Sequence, residues 1–292
     1  MNPVTRLIME RPCTLSWQTG PLRAPGPGEV LVRTLLSAVS VASELSLVVG
    51  NTPTGFPRQL GYQTLGRTVD GRRFVHTAGH VSAAVLGERD LIPVPDHVPD
   101  GVALAVVLGE ETHKGIRKLA PQPGERMLIA GAGLLGLLTL FNLTRRGVQG
   151  VTAIEPQPER RALAELFGAQ TVAAPGELTD ESFDLGFECS AAPAGFTELL
   201  GRLRHGGRAC VLSDGNWGTL SLPPAFHTRE LSVVASSDGE NYQSYARWLW
   251  THADPLLGRL FEVRVSAEQL PDALTKLQTW PRPVSLVAEW QH

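Results

Sequence analysis

Arg126-Met-Leu-Ile-Ala130 runs directly into Gly131-Ala132-Gly133-Leu134-Leu135-Gly136, and the chain returns through a second apolar run, Gly150-Val-Thr-Ala-Ile-Glu155. A short apolar run followed by glycines at this spacing predicts a strand that turns sharply into a helix. Gly131 permits the tight turn, Gly133 lets backbone approach a diphosphate, and Gly136 lets the helix pack closely on its strand. Ala132, Leu134 and Leu135 complete the turn, whose backbone N–H groups open a helix and can receive anionic oxygens. Beyond the glycines, Leu137, Leu138, Leu140, Phe141 and Leu143 give a helix apolar nearly all round, suited to burial against a sheet, and Gly147 ends it. Glu155 closes the second strand 19 residues past Gly136. There a carboxylate can accept both hydrogen bonds of an adenosine ribose and repels a 2′-phosphate, so NAD(H) is favoured over NADP(H). Gln157, Arg160 and Arg161 stand close by and can accommodate a phosphate. Arg160 joins the glycine turn and Glu155 as a cofactor-binding candidate.

The 292 residues exceed the usual size of a single core, so two domains are expected. Charged residues make up 19% and the net charge is −3, which leaves no electrostatic footprint for nucleic acid or an anionic membrane. A small-molecule partner fits better. No leader pattern opens the chain and no stretch of about 18 apolar residues occurs, so a soluble, cytoplasmic protein is expected. Cys13, Cys189 and Cys210 are far apart with no CxxC pair, which argues against a disulfide framework or a thiolate zinc cluster. Cys189 and Cys210 fall in apolar strand-like runs, where a thiol packs as a small hydrophobe.

Residues 1–120 carry short strands between Gly and Pro breakers, among them Glu29-Val-Leu-Val-Arg-Thr-Leu-Leu36, and predict a mostly β domain. A helix over 100–120, with Asp100 as its N-cap, leads to Pro121-Gln-Pro-Gly124. Over 121–257, strands at 126–130, 151–155, 171–173, 183–189, 207–213 and 231–236 alternate with helices near 133–146, 158–167 and 193–204, as a doubly wound parallel sheet requires. A helix at 241–252 follows. Residues 258–292 return to the first style, with a strand at 261–265, a helix over 268–277 and a closing strand at 284–288. The expected fold class is α/β, with the doubly wound sheet inserted into the mostly β domain.

The order of these pieces resembles the medium-chain dehydrogenase/reductase superfamily, the zinc alcohol dehydrogenases and quinone oxidoreductases. Pro25-Gly-Pro-Gly-Glu-Val-Leu-Val32, the segment from Phe56 to Val69 and the glycine core from Pro123 to Ala169 carry the likeness. Shorter likenesses, at Ser37–Glu44, Leu222–Phe226 and Glu289-Trp290, point to its bacteriochlorophyllide dehydrogenase branch. The resemblance implies a Rossmann domain inserted into a GroES-like catalytic domain, hydride transfer in an interdomain cleft, and a homodimer.

The departures matter as much. Val41 stands where zinc-dependent members begin a Cys motif, and Tyr62 and Gln63 stand in place of a His-Glu pair. The segment Val106–His113 offers no thiol, and the four-cysteine lobe is missing. Zinc wants thiolate, imidazole or carboxylate ligands, so neither metal site is expected. Without a Lewis acid, the substrate oxygen needs another donor. Ser43 falls at the hydroxyl of the superfamily's proton relay and Tyr62 where a ligand would project, so this pair is the catalytic candidate. Glu44 reads as a structural acceptor, and Glu110, Glu111 and His113 as a solvated helix end. His76 and His80 lie four apart on strand-like sequence, a spacing that need not converge on a metal. His292 is read as peripheral, and Trp217, Phe226, Trp248 and Trp250 as core or pocket lining. The expected activity is zinc-independent NAD(P)(H)-dependent oxidoreduction of an alcohol, carbonyl or activated double bond; the alternative is a non-catalytic dinucleotide sensor on the same fold.

Overall fold

The computed structural model describes residues 3–178, 182–214 and 218–291. Trp217 and His292 lie outside the described residues. The chain divides into two compact units, one formed by residues up to Val107 together with those from Asn241 onward, the other by Leu108–Glu240. The sequence reading placed these divisions at 120/121 and 257/258.

In the first unit, β1 (Val4–Arg11) and β2 (Thr14–Gly20) form an antiparallel hairpin, followed by the long strand β3 (Glu29–Val39) and the helix α1 (Val41–Val48). Next come β4 (Arg58–Gln59), β5 (Gln63–Arg67), β6 (Arg73–His76), β7 (Ala83–Gly87) and β8 (Ile92–Val94). The helices α2 (Asp100–Leu104) and α3 (Val106–Leu119), the latter belonging to the second unit from Leu108 onward, replace the single helix expected over 100–120. Pro99, not Asp100, is the N-cap of α2. Asp100 instead takes an ion pair from the buried Arg73, whose guanidinium also donates to the carbonyls of Pro95 and Val98.

The second unit alternates strand and helix: β9 (Met127–Ala130), α4 (Leu134–Thr144), β10 (Val151–Ile154), α5 (Pro158–Leu166), β11 (Thr171–Ala173), β12 (Phe183–Glu188), α6 (Pro193–Arg202), β13 (Leu203–Val211), α7 (Pro224–Thr228) and β14 (Ser232–Ala235). Among the described residues the strands form one parallel sheet in the order β11-β10-β9-β12-β13-β14. This is the doubly wound order, and its reversal of winding at β9 opens a crevice at the carboxyl ends of the central strands. The first crossover helix, α4, is buried from Gly136 through Leu143, as its all-round apolar sequence requires.

The chain then returns to the first unit as α8 (Tyr242–Thr251), β15 (Arg264–Ser266), α9 (Leu270–Lys276) and β16 (Leu286–Glu289). Trp250 donates to the Pro93 carbonyl and Gln243 to those of Arg89 and Leu91, which ties α8 to β8. The strand expected at 261–265 starts later, because Asp254 caps a 3-10 turn over Pro255–Phe261. β16 completes a mixed sheet, β15-β16-β3-β5-β6-β8, with β7 also on β3. Leu7, Met9, Leu45, Val48, Leu60, Leu270, Leu274 and Leu286 form a core beneath it. Burial of each such side chain contributes roughly 1.5–3 kcal/mol. No helix among the described residues is long and apolar enough to cross a membrane.

Candidate active and cofactor sites

The glycine turn sits at the carboxyl end of β9 in the second unit. Gly131 has φ +93°, and a Cβ there would meet the Ser190 backbone at 2.8 Å. At Gly136 a Cβ would lie 1.9 Å from the Gly131 carbonyl oxygen, so α4 can lie this close to its strand only without a side chain. Gly133 has room; the nearest atom to a Cβ there is Arg160 Nη1 at 3.7 Å. A cradle lined by backbone, with helical N–H groups of α4 facing it and a guanidinium beside it, fits a dinucleotide's diphosphate.

Glu155 is buried just past β10, and its carboxylate is already engaged by backbone. Oε2 accepts the Ala132 N–H at 2.8 Å and Oε1 the Gln157 N–H at 3.0 Å. Thus the acidic strand end also locks the turn. Burial pulls the half-buried Arg160 guanidinium below its usual range, with Glu155 opposing. Arg161 donates instead to the carbonyls of Glu155 and Pro156.

Three further glutamates stand in this unit. Glu188, at the end of β12, accepts the Ser190 N–H at 2.8 Å and the hydroxyls of Ser190 and Ser213, which braces the chain leaving β12 against that leaving β13. Burial raises its carboxyl above the usual range, against the pull of these hydrogen bonds. Glu111 on α3 is pushed up to about 8 by burial, then by Asp214 and Asp238, with Lys114 opposing. The expected solvated helix end is a different arrangement in the structure: Glu110 is fully buried and takes Arg117 at 3.1 Å and His113 at 3.1 Å. Burial also raises the Cys189 thiol well above its ordinary value and pushes Cys210 up to about 11, so neither offers a thiolate near neutral pH.

In the first unit, Tyr62 and Ser43 come together. The half-buried Tyr62 hydroxyl donates to Ser43 Oγ at 3.4 Å, and Ser43 Oγ lies 3.2 Å from Ser40 Oγ. Behind them Glu44 and His80 are buried, with His80 Nε2 at 2.9 Å from Glu44 Oε2. Gln63, in the position next to Tyr62, is buried, and neither its amide N nor its O has a hydrogen-bond partner among the described residues. His76 Nε2 is likewise unpartnered, and burial lowers His76 to about 4.

These residues do not fit a catalytic zinc. Val41 has no donor atom, and Tyr62 and Gln63 are poor ligands. Among the described residues no group of three or more His, Cys, Asp or Glu side chains converges on a metal position.

No family model matches the chain. The L-threonine 3-dehydrogenase of Rhizobium rhizogenes is 24% identical over 266 residues, covering 72% of this chain and 76% of that protein. A protein described as a zinc-binding dehydrogenase, from Sinorhizobium meliloti 1021 and bound to NADP, superposes with a TM-score of 0.86 at 18% identity, covering 99% of this chain and 100% of the other. The chain is thus similar in sequence to L-threonine 3-dehydrogenases and shares the fold of these dehydrogenases. Acetophenone reductase from Geotrichum candidum in complex with NAD superposes with a TM-score of 0.85 at 18% identity, covering 98% of this chain and 97% of that one. The likeness in fold extends over nearly the whole chain.

Proposed function

We propose that this protein is a member of the medium-chain dehydrogenase/reductase superfamily and a zinc-independent oxidoreductase that uses NAD(H) in preference to NADP(H) and acts on a small alcohol, carbonyl or activated double bond. The observation that carries the reading is the Tyr62 hydroxyl resting on Ser43, in the place where the resemblance put a metal ligand. Gly131–Gly136, Glu155 and Arg160 would hold the dinucleotide. When bound, the nicotinamide supplies or takes up the hydride.

The chain's own task is the oxygen. In the reducing direction Tyr62 donates a hydrogen bond to the carbonyl and gives up its proton as negative charge develops there. Ser43 then returns a proton to the phenolate, with the Ser40 hydroxyl next in line. In the oxidising direction the same hydroxyls carry the proton away. The Glu155 carboxylate supports the preference for NAD(H), since a 2′-phosphate would meet a buried acid whose two oxygens already fix the turn. A homodimer and a cytoplasmic location belong to the same proposal. The strand β14 at the sheet edge, with Val234 exposed, supports the dimer.

Titration by NADH and NADPH fluorescence, followed by turnover assays against ketones, enals, quinones and alcohols, tests this reading. Tighter NADH binding with turnover that survives chelation is expected. Tight binding without turnover, indifferent to Tyr62→Phe, would instead favour the dinucleotide sensor, a reading to which the missing metal ligands also lend support.

A further inference from the structure

We propose that Glu44, His80, Ser37 and Trp290 form a buried positioning relay that sets the places of Ser43 and Tyr62. The inference rests on the proposed oxidoreductase reading and concerns residues that do not themselves touch substrate or cofactor.

The relay has one direction. The Trp290 indole N–H can only donate, and it gives its hydrogen bond to Ser37 Oγ at 3.0 Å. The Ser37 hydroxyl proton is then available for His80 Nδ1 at 2.9 Å. That leaves the Nε2–H of His80 facing Glu44 Oε2 at 2.9 Å. The other oxygen, Oε1, accepts the Ser40 N–H at 2.9 Å, at the first turn of α1. Every polar atom along this path has a partner, and Glu44 and His80 are 1% and 0% exposed. A buried carboxylate is tolerated only when so satisfied.

The same residue also reaches the segment of Tyr62 by a second route, largely through its backbone. Gly61, immediately before Tyr62, has φ +88°, and a Cβ on it would lie 2.7 Å from the His80 backbone nitrogen and 2.8 Å from the ring. The His80 N–H donates to the Leu60 carbonyl at 2.8 Å. His80 therefore braces α1, which carries Ser43, through Glu44, and braces the segment carrying Tyr62 through Leu60 and Gly61. Ser43 and Tyr62 lie on different elements 19 residues apart, and the 3.4 Å contact between their hydroxyls depends on both being held. The C-terminal Trp290, stacked edge-on against Trp17 at 5.5 Å, anchors the far end.

The test compares His80→Gln, whose amide N can replace Nε2 toward Glu44, with His80→Asn, whose shorter amide cannot reach it. Trp290→Phe perturbs the far end and leaves Glu44 paired. Each is made in protein labelled with 3-fluorotyrosine. The chain has three tyrosines, so Tyr62→Phe assigns the Tyr62 resonance. We expect His80→Asn and Trp290→Phe to move the Tyr62 fluorine signal while those of Tyr242 and Tyr245 stay in place, and His80→Gln to restore it. On any substrate turned over by the wild type, kcat should fall about tenfold or more in His80→Asn, with the cofactor KM unchanged and recovery in His80→Gln. If His80→Asn does not fold, Trp290→Phe gives the same readings in milder form. An unmoved Tyr62 signal in the folded variants overturns the relay, even if wild-type turnover is present. Absence of wild-type turnover counts against the oxidoreductase reading and leaves the fluorine result to decide the relay.

Discussion

At the scale of single residues, the account turns on which groups can hold or move a proton. Tyr62→Phe removes one hydroxyl, so kcat should fall about 100-fold while NADH affinity is unchanged; steady-state kinetics beside fluorescence titration checks both. Glu111 gives a pH signature. It titrates near 4.5 when unfolded and is pushed up to about 8 when folded, so between these values the folded protein keeps a proton that the unfolded chain has lost. Stability from this group therefore falls as pH rises through that window. Denaturant unfolding should show the stability of Glu111→Gln relative to wild type constant below pH 4.5, rising between pH 4.5 and 8, and constant again above. His76 acts at the other end: burial lowers it to about 4 from 6.5, so stability is lost as pH falls through that interval. The contact of Tyr62 with Ser43 agrees with the pairing read from the sequence, and their part in catalysis belongs to the proposal. The pairing of Glu44 with His80 was not legible there. A four-residue spacing between His76 and His80 says nothing about a partner 36 residues away, reached only when β3 and α1 are folded against the turn after β6.

At the scale of elements, the glycine turn makes the sharpest demand. Gly136→Ala puts a methyl group 1.9 Å from the Gly131 oxygen, so α4 must lift from β9. Loss of NADH fluorescence enhancement together with a lower thermal midpoint is expected, with a cost of about 1–3 kcal/mol or more for overpacking. Wild-type binding by this variant would mean that the turn does not hold the diphosphate. This element was readable because its glycines are dictated by backbone sterics. The helix α1 was not, since its eight residues, rich in Ser and Val, show no strong helical period, and burial of Leu45 and Val48 decides its conformation. Nor could the sequence show that Glu155 spends both oxygens on the Ala132 and Gln157 amides.

At the scale of the whole molecule, the alternation of strands and helices in the second unit specified its sheet, because right-handed crossovers leave few ways to wind six short apolar strands. The first unit was less legible. Its sheet joins β16 near the C-terminus to β3 near the N-terminus, a pairing between distant segments that local pattern does not reveal. Two compact units also make a prediction for calorimetry. NADH at 100 times its Kd should stabilise the folded state of the unit carrying the glycine turn by about 2.7 kcal/mol, raising its unfolding transition. The most direct test of the central claim, that Tyr62 does the work elsewhere given to zinc, is NADH-dependent carbonyl turnover by chelator-stripped protein, wild type beside Tyr62→Phe. Full activity is expected in the stripped wild type and about a 100-fold loss in the variant. Activity that vanishes on chelation and returns with Zn²⁺, in both proteins alike, would contradict it.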